Sequence, residues 1–294
     1  WDDLQIGIQL ALWGYFKKIV IADRAAVLVN NVIMENCPYG GAVIALGILF
    51  YCIQLYCDFS GGIDITRGVA RMFGINMTLN FRRPLFSTSL TDYWRRWHIT
   101  LGAWMRDYVF YPLAFSKPFG KLGKWARKHF KGMMGKICAT STATFIVYLI
   151  IGIWHGANWN FIVWGLYYFV LLVIEKNFLL KFLKKCPLAA HIYTLFFVVL
   201  GWGIFTANQP GAPLGLLLNK LFVPQGGISP VYYLRNYGVL LVLGCVCSSA
   251  LPHWLWEKIS KNTVAKLLVF ALLTALCVCY VVAATNATAL YANF

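Results

Sequence analysis

The stretch ICATSTATFIVYLIIGIWHGANWNFIVWGLYYFVLLVIE, residues 137–175, decides the fold class. A membrane-crossing helix needs about 20 mostly apolar residues, so this run holds two crossings joined near 155–158 by His155, Gly156, Ala157 and Asn158. His155 and the closing Glu175 are its only side chains that carry or readily change charge near neutral pH. Histidine titrates at about 6.5 in water. Burial disfavours the charged form and would keep the ring neutral and able to accept a proton. An ionisable group at membrane depth is costly, which marks a candidate functional site. The alternative is a packing or capping histidine bonded to backbone.

The rest of the chain agrees with a membrane setting. Of its 294 residues 60% are hydrophobic and only 12% charged, with mean hydropathy +0.65, against roughly 25% charged in soluble domains. Further apolar runs lie at 41–57, 191–206, 237–251 and 264–284, and a shorter one at 4–16 ends at Lys17-Lys18 and spans the membrane or lies at its interface. Several fall short of a full crossing, so tilted, broken or re-entrant helices are expected. The chain opens at Trp1 inside an amphipathic segment, which suggests that the fold's first membrane helices precede it.

Charge supplies an orientation. The net charge is +16, and residues 58–136 alone hold 14 Lys/Arg against four acids. Residues 176–185 and 257–266 add further lysines, whereas 207–236 carries only Lys220 and Arg235 and the tail 285–294 carries none. Alternating the spans puts every rich segment on one face, which should be cytoplasmic. Attraction to anionic lipid explains this charge better than nucleic acid does, because most aromatics lie inside apolar runs. The nine cysteines form no CxxC pair and indicate neither a disulfide framework nor a metal cage.

Within the region 58–136, residues 58–112 are too polar for simple spans yet rich in Trp, Phe and Tyr. Gly61, Gly62, Gly68 and Gly74 are expected to interrupt it, and Arg83-Pro84 marks a turn. Ser89, with Asp92 three residues later, predicts a helix start. A helix from about 90 to 110 would put Trp94, Trp97, His98 and Leu101 on one face. The region reads as re-entrant or interfacial helices lining a cavity, where irregular backbone is tolerated at membrane depth.

Two buried histidines, His98 and His155, suit acyl transfer, which needs a base for a hydroxyl nucleophile and donors for the oxyanion of a thioester carbonyl. Gly156 and Gly165 would allow close backbone approach to a ligand. Asn158 and the indoles of Trp154 and Trp159 could donate, although anchoring at the interface suits Trp159 better. No metal is expected, since His129, His191 and His253 lack partners at ligand spacing. Ser60 in DFSGG lacks the setting of a serine nucleophile. Asp58, Asp64 and Arg67 read as a structural acid–base cluster holding a bend. A transporter with a histidine proton relay is the rival from another class.

The blocks YFKKIVIADRAA (15–26), QLYCDFSGGIDITRGVARMFG (54–74), NFRRPLFSTSLTDYWRRWHITLGAWMRDYVFYPL (80–113) and GIWHGANWNFIVWGLYYFVLLVIE (152–175) carry a resemblance. The sequence resembles the membrane-bound O-acyltransferase family, in its bacterial alginate O-acetyltransferase-like branch, with the teichoic acid D-alanyl transfer proteins as relatives. From 176 onward only the span pattern agrees. The resemblance implies an all-α polytopic bundle, one membrane-embedded domain over 1–294, with a central cavity and the catalytic histidine helices at 137–175. It implies that His155 is catalytic and His98 a second functional histidine. Around them Trp154, Asn158, Trp94, Trp97, Arg95 and Arg96 are the candidate substrate-binding residues. The donor would be a cytoplasmic thioester, acetyl-CoA or a phosphopantetheine acyl carrier protein, with no bound cofactor. Lys117, Lys121, Lys124, Arg127, Lys128 and Lys131 could attract its phosphates or the membrane surface. The acceptor would be an extracellular or cell-envelope polysaccharide, reached with an extracytoplasmic acetyltransferase partner, from a bacterial plasma membrane. GGID stands where many relatives have GYSD or GYSN, which leaves Asp64 without an implied role.

Overall fold

The computed structural model describes residues 1–33, 39–207, 219–222 and 228–283. Cys37, much of the charge-poor loop 207–236 and the tail 285–294 lie outside them. Among the described residues every regular element is helical, and six helices are long and apolar enough to cross a membrane. Two compact units emerge, one of Trp1–Phe86 with Thr206–Phe294 and the other of Ser87–Phe205. The boundary at Phe86 falls inside the polar 58–136 region.

In the first unit, α1 (Asp2–Tyr15) passes through a π-helical turn (Phe16–Ala22) into α2 (Asp23–Val32). This rod packs antiparallel against α3 (Gly41–Met72), the most buried of the long helices. The expected interruption at Gly61, Gly62 and Gly68 does not occur, and the helix runs unbroken for 32 residues. Two of these glycines are contact points. A Cβ at Gly14 would stand 2.5 Å from the Gly61 carbonyl oxygen, and one at Gly68 would stand 2.6 Å from that of Gly7. The pairs are seven residues apart on both helices, so small residues let the backbones touch along one seam.

Lys17 and Lys18 do not end the apolar segment either. The π-helical turn carries both inward, and Lys17 is only 3% exposed. Its ammonium donates to Ser60 Oγ at 2.9 Å and to Asp64 at 2.8 Å. Lys18 lies 2.6 Å from Asp23 and 2.7 Å from Asp58, and Arg67 adds a 3.3 Å contact to Asp64. The acids on α3 therefore staple it to the lysine turn, where a bend was expected. Around this pair, α12 (Pro230–Ser248) sets Gly244 against Ile53, the short α13 (Leu251–Ile259) follows, and α14 (Thr263–Ala283) is tied by Lys266 to Gln5 and by the Tyr280 carbonyl to Arg24. Of the six long helices α14 is the least buried, as suits an apolar face turned to lipid.

The second unit begins with the segment that bears His98. Ser89 caps α4 (Leu90–Trp94) as expected, accepting from the Asp92 N–H at 3.0 Å. The expected continuous helix 90–110 is broken, however. It stops after one turn, and α5 (Ile99–Trp104) starts afresh before a π-helical turn (Met105–Phe110) and α6 (Tyr111–Ala114). The basic α7 (Lys117–His129) packs through Gly123 and Ala126 against α8 (Met133–Trp154). Then α8 and α9 (Trp159–Ile174) form the predicted hairpin. Beyond Ile174 the helical path continues through a π-helical turn (Glu175–Leu179) and α10 (Leu180–Leu183). Antiparallel to α9 runs α11 (Pro187–Thr206), with Asn160 donating to the Phe205 carbonyl at 3.1 Å and Tyr167 to that of Phe197 at 2.8 Å.

Candidate active site

His98 occupies the break between α4 and α5 with φ 47° and ψ 55°, a left-handed conformation. Such a backbone is uncommon outside glycine and costs roughly 1 kcal/mol or more. Its carbonyl accepts from the Gly102 N–H at 3.0 Å, which opens α5. The left-handed residue redirects the chain, so Trp94, Trp97, His98 and Leu101 do not form the expected single stripe. No glycine or proline announces the break.

His155 ends α8, its N–H shared between the carbonyls of Ile151 and Gly152 at 3.2 Å. The chain then turns through Gly156 at φ 141°, where a Cβ would meet the Phe161 ring at 2.9 Å. This glycine serves the turn. Gly165, expected to admit a ligand, is filled by the Tyr148 carbonyl from α8.

Trp154 joins the two histidines. Its ring centre lies 6.2 Å from that of His98 and 4.8 Å from that of His155, and the indole is 51% exposed. The other walls around His155 are Trp164 at 5.2 Å, Phe205 at 5.1 Å and Phe161 at 6.1 Å. Both imidazoles are half-buried. Burial first, and then the proximity of His98, lowers the His155 pKa to about 4; burial lowers that of His98 to about 4 as well. Both rings are therefore neutral near pH 7. A neutral imidazole carries one N–H donor and one accepting nitrogen.

The remaining candidates separate by environment. Trp97 stacks on Tyr93 at 5.8 Å and meets Trp202 at 5.1 Å, while Trp94 packs on Tyr168 at 4.9 Å and Trp164 at 5.6 Å. These two indoles build the wall that holds the His98 segment. Arg96 makes a two-pronged pair with Asp92 at 2.9 Å, and Arg95 is exposed. Asn158 caps α9 with extended backbone, while Trp159 is 79% exposed, in keeping with an interfacial anchor. Sequence reasoning missed Trp164 and Phe205 as walls of the His155 site. It also left Glu175 without a role, although an acid inside an apolar run was the available signal.

Comparison with known proteins covers the same blocks. The sequence profile of the membrane-bound O-acyltransferase family matches residues 15–209. The chain is 34% identical over 210 residues to a "probable alginate O-acetylase" of Azotobacter vinelandii, covering 71% of this chain and 38% of that protein. It is 31% identical to a peptidoglycan O-acetyltransferase of Helicobacter pylori, covering 77% of this chain and 40% of the relative. To a teichoic acid D-alanyltransferase of Bacillus subtilis it is 30% identical, covering 70% and 52% respectively. The chain thus spans about two fifths to one half of the length of these relatives. The match places His98, Trp154, His155 and the helices that carry them within the shared region, and the chain belongs to the membrane-bound O-acyltransferase family.

Proposed function

We propose that this chain forms the catalytic part of a membrane O-acyltransferase that moves an acetyl group from a cytoplasmic thioester to a hydroxyl of a cell-envelope polysaccharide. The observation that carries the reading is the pair of neutral, half-buried histidines flanking one exposed indole, Trp154. The names of the alginate and peptidoglycan relatives supply the substrate class.

His155 takes the proton of the acceptor hydroxyl as its oxygen attacks the thioester carbonyl carbon. His98 donates its N–H to the carbonyl oxygen, where negative charge develops in the tetrahedral intermediate. Collapse breaks the carbon–sulfur bond, the ester remains on the acceptor, and the departing thiolate takes the proton back from His155. Trp154 covers the reacting groups and excludes water from the thioester. The donor is acetyl-CoA or a phosphopantetheine-bearing carrier protein, and the setting is the bacterial plasma membrane with an extracytoplasmic acetyltransferase as partner.

Replacement His155→Ala tests this directly. The variant should reach the membrane while ester-linked acetate disappears from the envelope polymer; retained acetylation rejects the role of His155. The similarity to a teichoic acid D-alanyltransferase supports a second reading, D-alanyl transfer by the same residues. Mass spectrometry of the released acyl groups separates the two.

A further inference from the structure

We propose that Glu175 is a positioning residue that sets His98, acting through α4; this rests on the catalytic reading above. Glu175 is 0% exposed, yet no lysine or arginine bonds its carboxylate among the contacts seen in the described residues. It is held by the start of α4. Oε2 accepts the Leu90 N–H at 2.6 Å, and Oε1 accepts the Thr91 N–H at 2.9 Å and the Thr91 hydroxyl at 2.6 Å. The first amides of a helix lack partners within the helix and form its positive end. With Ser89 taking the next amide, the three leading N–H groups of α4 are all satisfied, two of them from a residue more than 80 positions away.

Such a tether has a purpose because α4 is only five residues long. One turn of helix does not hold itself together in isolation. Glu175 fixes its first residues, and Tyr93, Trp94 and Trp97 pack its other end against Trp164, Tyr168 and Trp202. After Arg95, Arg96 and Trp97 the chain reaches the left-handed His98. Trp164, Tyr168 and Glu175 recur at four- and seven-residue spacing, so they share one face of the α9 path. That same Trp164 also walls His155. A single helical face thereby registers the His98 segment at one end and touches the His155 ring at the other.

The experiment measures the initial rate of ester-linked acyl group appearing on the envelope polymer of the native host, acetate or D-alanine, per folded membrane protein. It compares Glu175→Ala, Glu175→Gln, His98→Ala, His155→Ala and the double variant Glu175→Ala/His98→Ala. Misplacing a reacting group by about 1 Å can cost on the order of 100-fold, so Glu175→Ala should lose roughly tenfold to 100-fold. Glu175→Gln, which keeps one accepting oxygen, should lose less. If Glu175 acts through His98, its removal in the His98→Ala background produces no further loss, because the two effects are coupled. Multiplying losses, or an unchanged rate in both Glu175 variants, overturns the positioning role. Should Glu175→Ala fail to fold, Glu175→Gln/His98→Ala gives the same reading. An active His155→Ala variant instead overturns the catalytic reading itself, whatever Glu175 does.

Discussion

The Lys17 ammonium and the Asp64 carboxylate lie 2.8 Å apart across the α1–α3 seam, with Lys17 almost wholly withdrawn from solvent. Removing one member of a buried pair leaves the other charged and uncompensated, typically at about 3–5 kcal/mol. The two members are not equivalent. Without Lys17, Asp64 still has Arg67 at 3.3 Å; without Asp64, Lys17 retains no carboxylate among its contacts in the described residues, only neutral partners such as the Ser60 hydroxyl and the Tyr56 ring 5.9 Å away. Asp64→Leu should therefore lower the thermal midpoint in detergent more than Lys17→Met does. The double variant should recover part of the loss. Equal midpoints for the two single variants would contradict the asymmetry.

Adjacent glycines on α3 should behave oppositely. A Cβ at Gly61 meets the Gly14 carbonyl oxygen at 2.8 Å, and backbone cannot step aside without parting the helices. At Gly62 nothing lies within 4 Å. Alanine gains about 1 kcal/mol over glycine in a helix interior, so Gly62→Ala should keep or raise the melting midpoint. Gly61→Ala should lower it, by about 1–3 kcal/mol of overpacking. Thermal unfolding of the two variants side by side provides the check.

At His98 the backbone and the ring can be tested apart. Asparagine tolerates left-handed φ, whereas a β-branched residue does not. His98→Asn should leave folded yield near wild type and abolish most acyl transfer, since the imidazole is gone. His98→Val should lose both, with a stability cost of roughly 1–2 kcal/mol from the strained residue. Comparing folded protein with ester content separates the two roles.

The membrane helices were legible in the sequence because their signal is bulk apolarity, and the 137–175 hairpin falls where the polar break at His155 put it. Their ends were not. Several helices run past their apolar runs, α3 by fifteen residues beyond Cys57, because ion pairs and glycine contacts inside the protein stabilise polar helix that lipid would reject. Gly61 and Gly68 look like breakers to a local reading, and only the opposing Gly14 and Gly7 reveal them as a seam. The two histidines were visible as ionisable groups out of place. Their shared neighbour Trp154 and the walls Trp164 and Phe205 depend on tertiary packing, and the left-handed turn at His98 has no composition signal. The π-helical turn that carries Lys17 inward also escapes a periodicity of 3.6 residues.

Acidification should separate a buried neutral His155 from an exposed one. With its folded pKa lowered from 6.5 to about 4, chiefly by burial, the ring binds protons less readily in the folded protein than in the unfolded chain. Its contribution to stability is therefore complete above about pH 6.5, falls as pH drops from there toward 4, and then levels off. Activity follows a different edge. The acceptor-ready neutral base persists until about pH 4, so the acid limb of the acyl-transfer rate should lie well below the 6–7 expected for a solvated imidazole. His98 shares the same shift, but an N–H donor keeps its donor when protonated, so the limb should follow His155 alone. The measurement is the initial rate of ester formation in isolated membranes between pH 4 and 8, paired with melting midpoints over the same range. His155→Phe should remove part of the stability slope between pH 6.5 and 4. A rate that halves near pH 6.5 would show that the ring is solvated in the working enzyme.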